Sequence, residues 1–521
     1  MPKNRPGSLS RRSLLAAGGG LSLAALLAAA GCGGSSDTKA SSDVLTVLLP
    51  GNQPTGWAEV LAKVNTKLKA EKGFTIAPQF IAWSSYKDQS LLKFTAGEKF
   101  DTALQARWLS MIQLVASKSL TDLAPLLAGG KYPNLSKTLD PKLIANNTWP
   151  TGLYGIPQVN SAARLQHFGI RQDLADKVGI STIADYATLE KFWYDVKQKV
   201  SGVTPLGLSS NMSNLTVIPG PIGLLNAYSW DNPTTISQSF SGDSIQFVMA
   251  ADAAQTGSST PIPFWDAPGV VDAFRTVRKY YLDGIINKDA LNIDSSARGS
   301  LFTSGKHATT WAITDGTTSS STLPALLKAV PTAALANVMP LRGGKSSKPN
   351  QTFQSDNFMV LNAKGSNTDK VMQLEDWLSI KENHDIISYG IEGRDWKPAG
   401  DDSLEQLSAY GFPGYALCWR TSLERRSKLM TESEADLFSW AQDYNNFTSD
   451  TFASFIPDSE PVKREDAQMA AAFTQYANPL FFGAVDVDKG LDALKKAADK
   501  AGLAKLQAEM QKQADAYLKS K

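Results

Sequence analysis

Tryptophan is the residue this chain uses most unusually. Of 521 residues 12 are Trp, beside 14 Tyr and 21 Phe, although the hydrophobic fraction is an ordinary 42%. Indole offers a wide apolar face and a single N–H donor, so a surplus suits clefts where one face meets a bound molecule. Several of these rings adjoin polar groups: Trp108 follows Arg107, Trp311 ends the string HATTW, and Trp396 follows GIEGRD. Groups that make and break bonds show no matching order. HExxH, GxSxG and GxxxxGK are absent, and the GGKSS at Gly343 has Met339 where a phosphate loop needs its first glycine. His167, His307 and His384 lie too far apart for metal-ligand spacing. DVDKG at Asp486 imitates a calcium loop but puts Gly490 at a liganding position, so it reads as a helix start. No cofactor or metal is expected. One catalytic class stays open: the two carboxylates of a glycan-cleaving enzyme need only a separation, which 50 acidic residues could supply.

The elements that would position these residues alternate. VLTVLL, from Val44, is a short apolar run stopped by Pro50-Gly51, as a buried strand requires. Trp57, Val60, Leu61, Val64 and Leu68 then fall on one helical face, with Gly73 as the stop. FTIAPQFIAW reads as a strand ending at Trp83, residues 86–96 as a helix before Gly97, and residues 100–104 as a third strand. Strand, helix, strand, helix, strand is the order of a mostly parallel α/β sheet. A helix opening at Thr182 puts Leu189, Phe192, Trp193, Val196 and Val200 on one side, so Trp193, like Trp57, is expected in the core. Residues 209–320 are patchier, with a clear helix near 270–282. DNFMVL, residues 356–361, is a strand leading to a helix over 368–380, and the tail gives two helices broken at Gly502.

Residues 1–31 read as an address rather than a fold element. A basic start (Lys3, Arg5, Arg11, Arg12) precedes an apolar run over 14–30 that Gly18, Gly19 and Gly20 dilute, too weak for a permanent span. SRRSLL resembles a twin-arginine export signal, and AAGC at Cys32 resembles the lipobox of bacterial lipoproteins, with Ala29 where that motif usually has Leu. Cys32 is therefore the expected lipidation site and residues 32–43, rich in Gly and Ser, a flexible tether. Removing residues 1–31 takes four of the 52 basic residues and no acidic ones, leaving 48 against 50, a net charge of −2. Such a body has no basic excess to draw nucleic acid. Cys418 is left alone, so no intrachain disulfide can form. A mature chain of this length exceeds one compact core.

The motifs resemble, in order and over nearly the whole mature length, those of the extracellular solute-binding proteins that serve carbohydrate ABC importers, in their large lipoprotein branch. KFTAGEKFDTALQARW (93–108), SLTDLAPLL (119–127), GLYGIPQ from Gly152, SGKHATTW (304–311) and, most specifically, YGIEGRDW (389–396) carry the resemblance. It implies a two-lobed periplasmic-binding-protein type II fold with a hinge and C-terminal helices, lobe 1 holding 44–157 plus 351–390 and lobe 2 holding 158–350 plus 391–521. It implies a receptor, not an enzyme, that captures an oligosaccharide, closes by hinge motion and delivers its ligand to membrane permease subunits, working as a monomer anchored outside the cell by lipid alone. The alternatives are a secreted glycosidase, or a binding protein for peptides or another solute.

A sugar needs aromatic planes for its C–H faces and Asp, Asn, Arg or Glu for its hydroxyls. On the family's pattern Trp108 with Arg107, Trp311, Asp356, Trp396 and Asn160 are ligand-binding candidates, and Trp83, Trp230, Trp265 and Asp315 join them with a core role as the competing reading. Arg394 is balanced between touching ligand and tying its own turn by an ion pair.

Overall fold

The computed structural model describes residues 43–162, 166–210, 235–240, 245–250, 253, 259–313, 322–338, 353–449 and 451–520. The expected signal segment, Cys32, the tether apart from Asp43, Trp230 and Asp315 lie outside the described residues. The chain opens with β1 (Val44–Pro50), whose inner residues are buried because strands lie on both sides: β2 (Thr75–Ile81) and β3 (Thr102–Gln105), each parallel to it. Helix α1 (Trp57–Lys72) buries Trp57, Val60, Val64 and Leu68 and ends where Gly73, at φ 83°, donates its N–H to Lys69. Only a residue without Cβ takes that left-handed turn at no cost. Helix α2 spans Trp83–Ala96, so Trp83 opens a helix rather than closing a strand, as expected from the apolar run. Ala82 is extended, at φ −51° and ψ 137°, and its carbonyl already accepts from the N–H of Ser85, which fixes the switch one residue early.

After β4 (Ile156–Gln158) the chain enters a second sheet at β5 (Gln166–Arg171). A small sheet of β6 (Thr235–Gln238), β7 (Phe247–Ala250) and β8 (Ile262–Pro263) follows, then β9 (Thr309–Ile313) and β10 (Leu335–Val338), which flank β5 antiparallel in the order β10-β5-β9. The return strand β11 (Asn357–Leu361) inserts antiparallel between β3 and β4, giving a first sheet of order β2-β1-β3-β11-β4. Finally β12 (Trp396–Pro398), β13 (Ser403–Gln406) and β14 (Arg426–Ser427) form a small third motif. The helix Tyr186–Lys199 starts later than Thr182 because the Asp185 carboxylate caps it, accepting from the N–H of Thr188 at 2.7 Å.

The two lobes have separate cores. Leu45, Val47, Leu104, Met359 and Trp377 belong to the first, while Phe168, Trp193, Phe274 and the C-terminal helices Val487–Ala501 and Leu503–Lys519 pack in the second. One segment departs from the expected division. Tyr410, Phe412, Ala416, Leu417 and Cys418, placed by sequence in lobe 2, are buried in the first core, where Phe412 stacks on Trp57 at 5.3 Å. The links between lobes meet in a small apolar cluster of Ala162, Phe353, Leu437, Ala441 and Phe447. Phe353 holds φ at 52°, strained for a bulky side chain, while its ring packs on Tyr444 at 5.5 Å.

Two polar networks bind the 391–427 segment to the first lobe. Fully buried Arg420 donates from Nη2 to Glu375 at 2.5 Å, from Nη1 to Gln158 at 3.1 Å and to the Trp419 carbonyl at 2.7 Å, and from Nε to Ser379 at 3.3 Å. Burial pushes the Glu375 carboxyl up, and the guanidinium opposes that push. Buried His384 lies 3.2 Å from Asp385 through Nδ1 and 3.2 Å from Glu424 through Nε2, and the Arg425 guanidinium meets Asp385 at 2.8 Å. Tyr389 donates to Glu424 at 3.2 Å, Lys381 stands 3.9 Å from Asp385, and Ser388 links His384 to Cys418.

Burial alone would push His384 down, but Glu424 and Asp385 outweigh it and hold the imidazole above its ordinary 6.5. A pKa raised on folding contributes stability that is complete below the unfolded value and lost as pH rises through the folded one. The melting-temperature advantage of the parent over His384→Gln is therefore largest below pH 6.5 and shrinks as the imidazolium deprotonates. A difference that stays flat from about pH 6 to about pH 9 contradicts the charged assignment.

Candidate functional site

In a sheet of parallel strands the loops after the carboxyl ends converge, and ligands bind there. β1, β2, β3 and β4 all point to one edge, and antiparallel β11 starts from it. Gly51, Trp83, Trp108, Val159 and Asp356 are therefore neighbours of this edge by topology alone.

The side chains use that placement. Trp83 and Trp108 are 39% and 46% exposed, which is unusual for indole, and their rings lie 5.8 Å apart with planes 30° from each other. Tyr415 continues the surface, 6.1 Å from Trp83 and tilted 31°, and its hydroxyl accepts from Trp83 Nε1 at 3.1 Å. Trp419 stands edge-on behind Tyr415 at 5.7 Å. Trp108 Nε1 donates to the Asp356 carbonyl at 3.1 Å, so both indole N–H groups are engaged within the protein. The platform is rigidly backed. Buried Tyr86, one turn into α2, donates to the carbonyls of Leu48 and Leu104, pinning the helix start to β1 and β3. Gln105 holds the Trp108 loop by accepting from the Ser110 N–H and donating to Ser90.

The second lobe presents Trp311 on β9, opposite Phe168 on β5. It is half-buried against the second core, with the Arg298 guanidinium 5.4 Å over its ring, and its Nε1 is closed off from solvent without a hydrogen-bond partner. β5 begins and β10 ends at the links to the first lobe, so Trp311 lies two residues from the edge of its sheet that faces those links.

The remaining candidates separate. Arg107 and Asp356 are at the platform edge, half-buried. Asn160 is at the same edge but 1% exposed, its Oδ1 taken by the Ser161 hydroxyl at 3.3 Å. Two expectations are corrected. Trp265 is a core residue of lobe 2, edge-on to Phe264 at 4.9 Å. Trp396 is enclosed by the third motif, donating to the Gly390 carbonyl at 3.1 Å under the Arg425 guanidinium at 4.9 Å. Both are 3% exposed, and each flanks a turn whose own packing takes the ring inward. Arg394 ties its turn, meeting Asp395 at 2.6 Å. Trp57 and Trp193 are in the core as expected. Tyr415 and Trp419 were not foreseen; their one signal is two aromatics four residues apart in GYALCW, after a Gly-Phe-Pro break.

An arrangement of Ser388, His384 and Asp385 has the contacts of a hydrolytic triad, with Ser388 Oγ 3.2 Å from Nε2. Burial argues against catalysis: His384 is fully buried, so a substrate cannot reach the ring, and its Nε2 is shared with Glu424 at 3.2 Å.

Two α/β lobes joined by chain links, with the C-terminal helices packed on the second, are the type II fold of solute-binding proteins. Comparison with known proteins agrees. Residues 451–519 match a family described as a domain of unknown function, DUF3502. A protein of Streptococcus pneumoniae named carbohydrate ABC transporter substrate-binding protein is 25% identical, covering 96% of this chain and 97% of its own. Lipoprotein LipO of Bacillus subtilis is 26% identical over 53% of this chain and 52% of its own. The crystal structure of the N-glycan transport solute binding protein NgtS from Streptococcus pneumoniae superposes with a TM-score of 0.74 at 20% identity, covering 91% of this chain and 99% of that one; with Man1GlcNAc bound it gives 0.69 at the same identity and coverage.

Trp83→Ala and Trp108→Ala are expected to weaken ligand binding by about 1–3 kcal/mol each, the range for burying a large apolar side chain, with little change in the unliganded melting temperature. Trp311→Ala is expected to lower both, because part of that ring is core. Calorimetry and melting curves on the three variants check this, and a Trp108→Ala protein that binds as the parent does removes Trp108 from the site.

Proposed function

We propose that this protein is an extracytoplasmic receptor that captures an oligosaccharide and delivers it to an ABC importer by closure of its lobes. The observation that carries the sugar reading is the row of Trp108, Trp83 and Tyr415 at the ligand edge of a sheet, two exposed indoles continued by a half-buried phenol ring, with successive planes tilted by about 30°. Flat C–H faces of pyranose rings fit such a row, and hydroxyls find donors and acceptors at its border. Lobe 2 brings Trp311 to the opposing side on closure. The importer reading is supported by the name of the pneumococcal relative and by the glycan complexes of NgtS. The receptor binds without turnover.

Lipidation at Cys32 holds it to the outer face of the membrane, a reading supported by the small residues before that cysteine, the Gly/Ser tether after it and the lipoprotein name of the Bacillus relative. Replacing Cys32 by Ala releases the protein into the medium; retention on the membrane contradicts the anchor.

The receptor claim is tested on residues 32–521 by thermal shift against neutral and acidic oligosaccharides and against peptides. A ligand at about 100 times its Kd raises stability by about 2.7 kcal/mol. Saccharides should shift the melting temperature and peptides should not, and chromatography should recover the saccharide intact. Reducing ends released in proportion to protein point instead to a glycosidase.

A further inference from the structure

Several arginines of this protein meet carboxylates: buried Arg171 with Asp173 at 2.6 Å, Arg420 with Glu375 at 2.5 Å and Arg425 with Asp385 at 2.8 Å, and the more exposed Arg394 with Asp395 at 2.6 Å. Arg107 does not. It is half-buried in the loop after β3, beside Trp108, and no described carboxylate lies within ion-pair distance of it. Its Nη2 reaches the Asn146 carbonyl at a long 3.5 Å, its guanidinium lies 5.6 Å from the centre of the Trp149 ring, and its Nε is closed off from solvent without a partner. Burial pulls its pKa down to about 10, with no opposing charge in the balance. A guanidinium nevertheless keeps its proton at neutral pH, so the site carries a fixed cation without an anion. The Asn146 carbonyl, in the last turn of the helix Pro141–Asn147, compensates only part of that charge.

A cation left unmatched in a half-buried position costs stability. At Arg107 that cost falls at the sheet edge that carries Trp83 and Trp108. We propose that Arg107 receives a carboxylate of the ligand, so that the saccharide seated on Trp108 contains an acidic sugar, of the uronic or sialic type. The forked N–H groups match the two oxygens of a carboxylate, and the charge is neutralised only by such a group; paired neutral hydroxyls fit the fork but leave the charge as it was. The mature body, at net −2, offers anions no general attraction, so the selectivity resides at this point. The inference rests on the reading of the protein as an oligosaccharide receptor.

Calorimetry on residues 32–521 tests it with matched pairs: a trisaccharide ending in glucuronate against one ending in glucose, and a sialylated N-glycan against its asialo form, with a sulfated trisaccharide as a third arm. The acidic member of at least one pair should bind about tenfold tighter or more at low ionic strength, with the gap narrowing as salt is added. Arg107→Gln should bring the acidic-to-neutral ratio to about one, and Arg107→Lys should keep part of it. Unliganded melting curves show whether each variant folds; should the Gln variant fail, the Lys variant and the salt dependence of the parent decide. Equal or tighter binding of the neutral members overturns the inference while leaving the receptor standing. An acidic preference unaltered in a folded variant overturns the assignment to Arg107, and tighter binding of the sulfated sugar overturns the carboxylate. Binding of no saccharide at all brings down the receptor reading and the inference together.

Discussion

The Arg420–Glu375 ion pair is the constraint on which the ligand edge depends. Glu375 stands on the helix Thr368–Leu378, Gln158 ends β4, and Arg420 closes the segment that carries Tyr415 and Trp419; the one guanidinium gathers all three. Val159, the first residue of the link to lobe 2, pairs with Arg420 through the backbone. Taking one partner from a buried pair leaves the other charged and alone, at a cost of about 3–5 kcal/mol. Tyr415 therefore has little freedom to leave Trp83. The same guanidinium anchors the start of the first link, so the aromatic row and the hinge share a foundation.

This rigidity suits the proposed receptor role. A platform of exposed indole faces cannot be stabilised by the water above it, so its geometry has to come from beneath, from Tyr86, Gln105 and Arg420. Motion is left to the links, where Ala162, Phe353 and Phe447 form a small apolar cluster and Phe353 holds a strained backbone. On the proposed reading, a ligand that bridges Trp108 and Trp311 would gain contacts only as the lobes approach, which is the differential affinity that closure requires.

Much of the first lobe is legible in the sequence, because its strands are apolar runs with clear stops and its helices have a narrow apolar stripe. Trp57 and Trp193 are identified as core by that stripe alone. Trp108 is singled out as a candidate by its position after a strand together with the family resemblance, and the structure leaves its ring exposed at the sheet edge. What is not legible depends on tertiary packing. Nothing local distinguishes the indole of Trp265 or Trp396, which turn inward, from that of Trp83, which stays out. The stretch 391–418 has little periodicity, and only the buried contacts of Tyr410, Phe412 and Leu417 tell to which lobe it belongs. Tyr415 was missed for the same reason: it reaches Trp83 from 332 residues away in the chain.

The most direct test of the account is a crystal structure of the mature protein with the oligosaccharide that stabilises it most. Sugar rings lying against the faces of Trp108 and Trp83, with Trp311 brought to the opposite side, are the result the account predicts. A saccharide bound away from that edge, with both indoles still facing solvent, would contradict it.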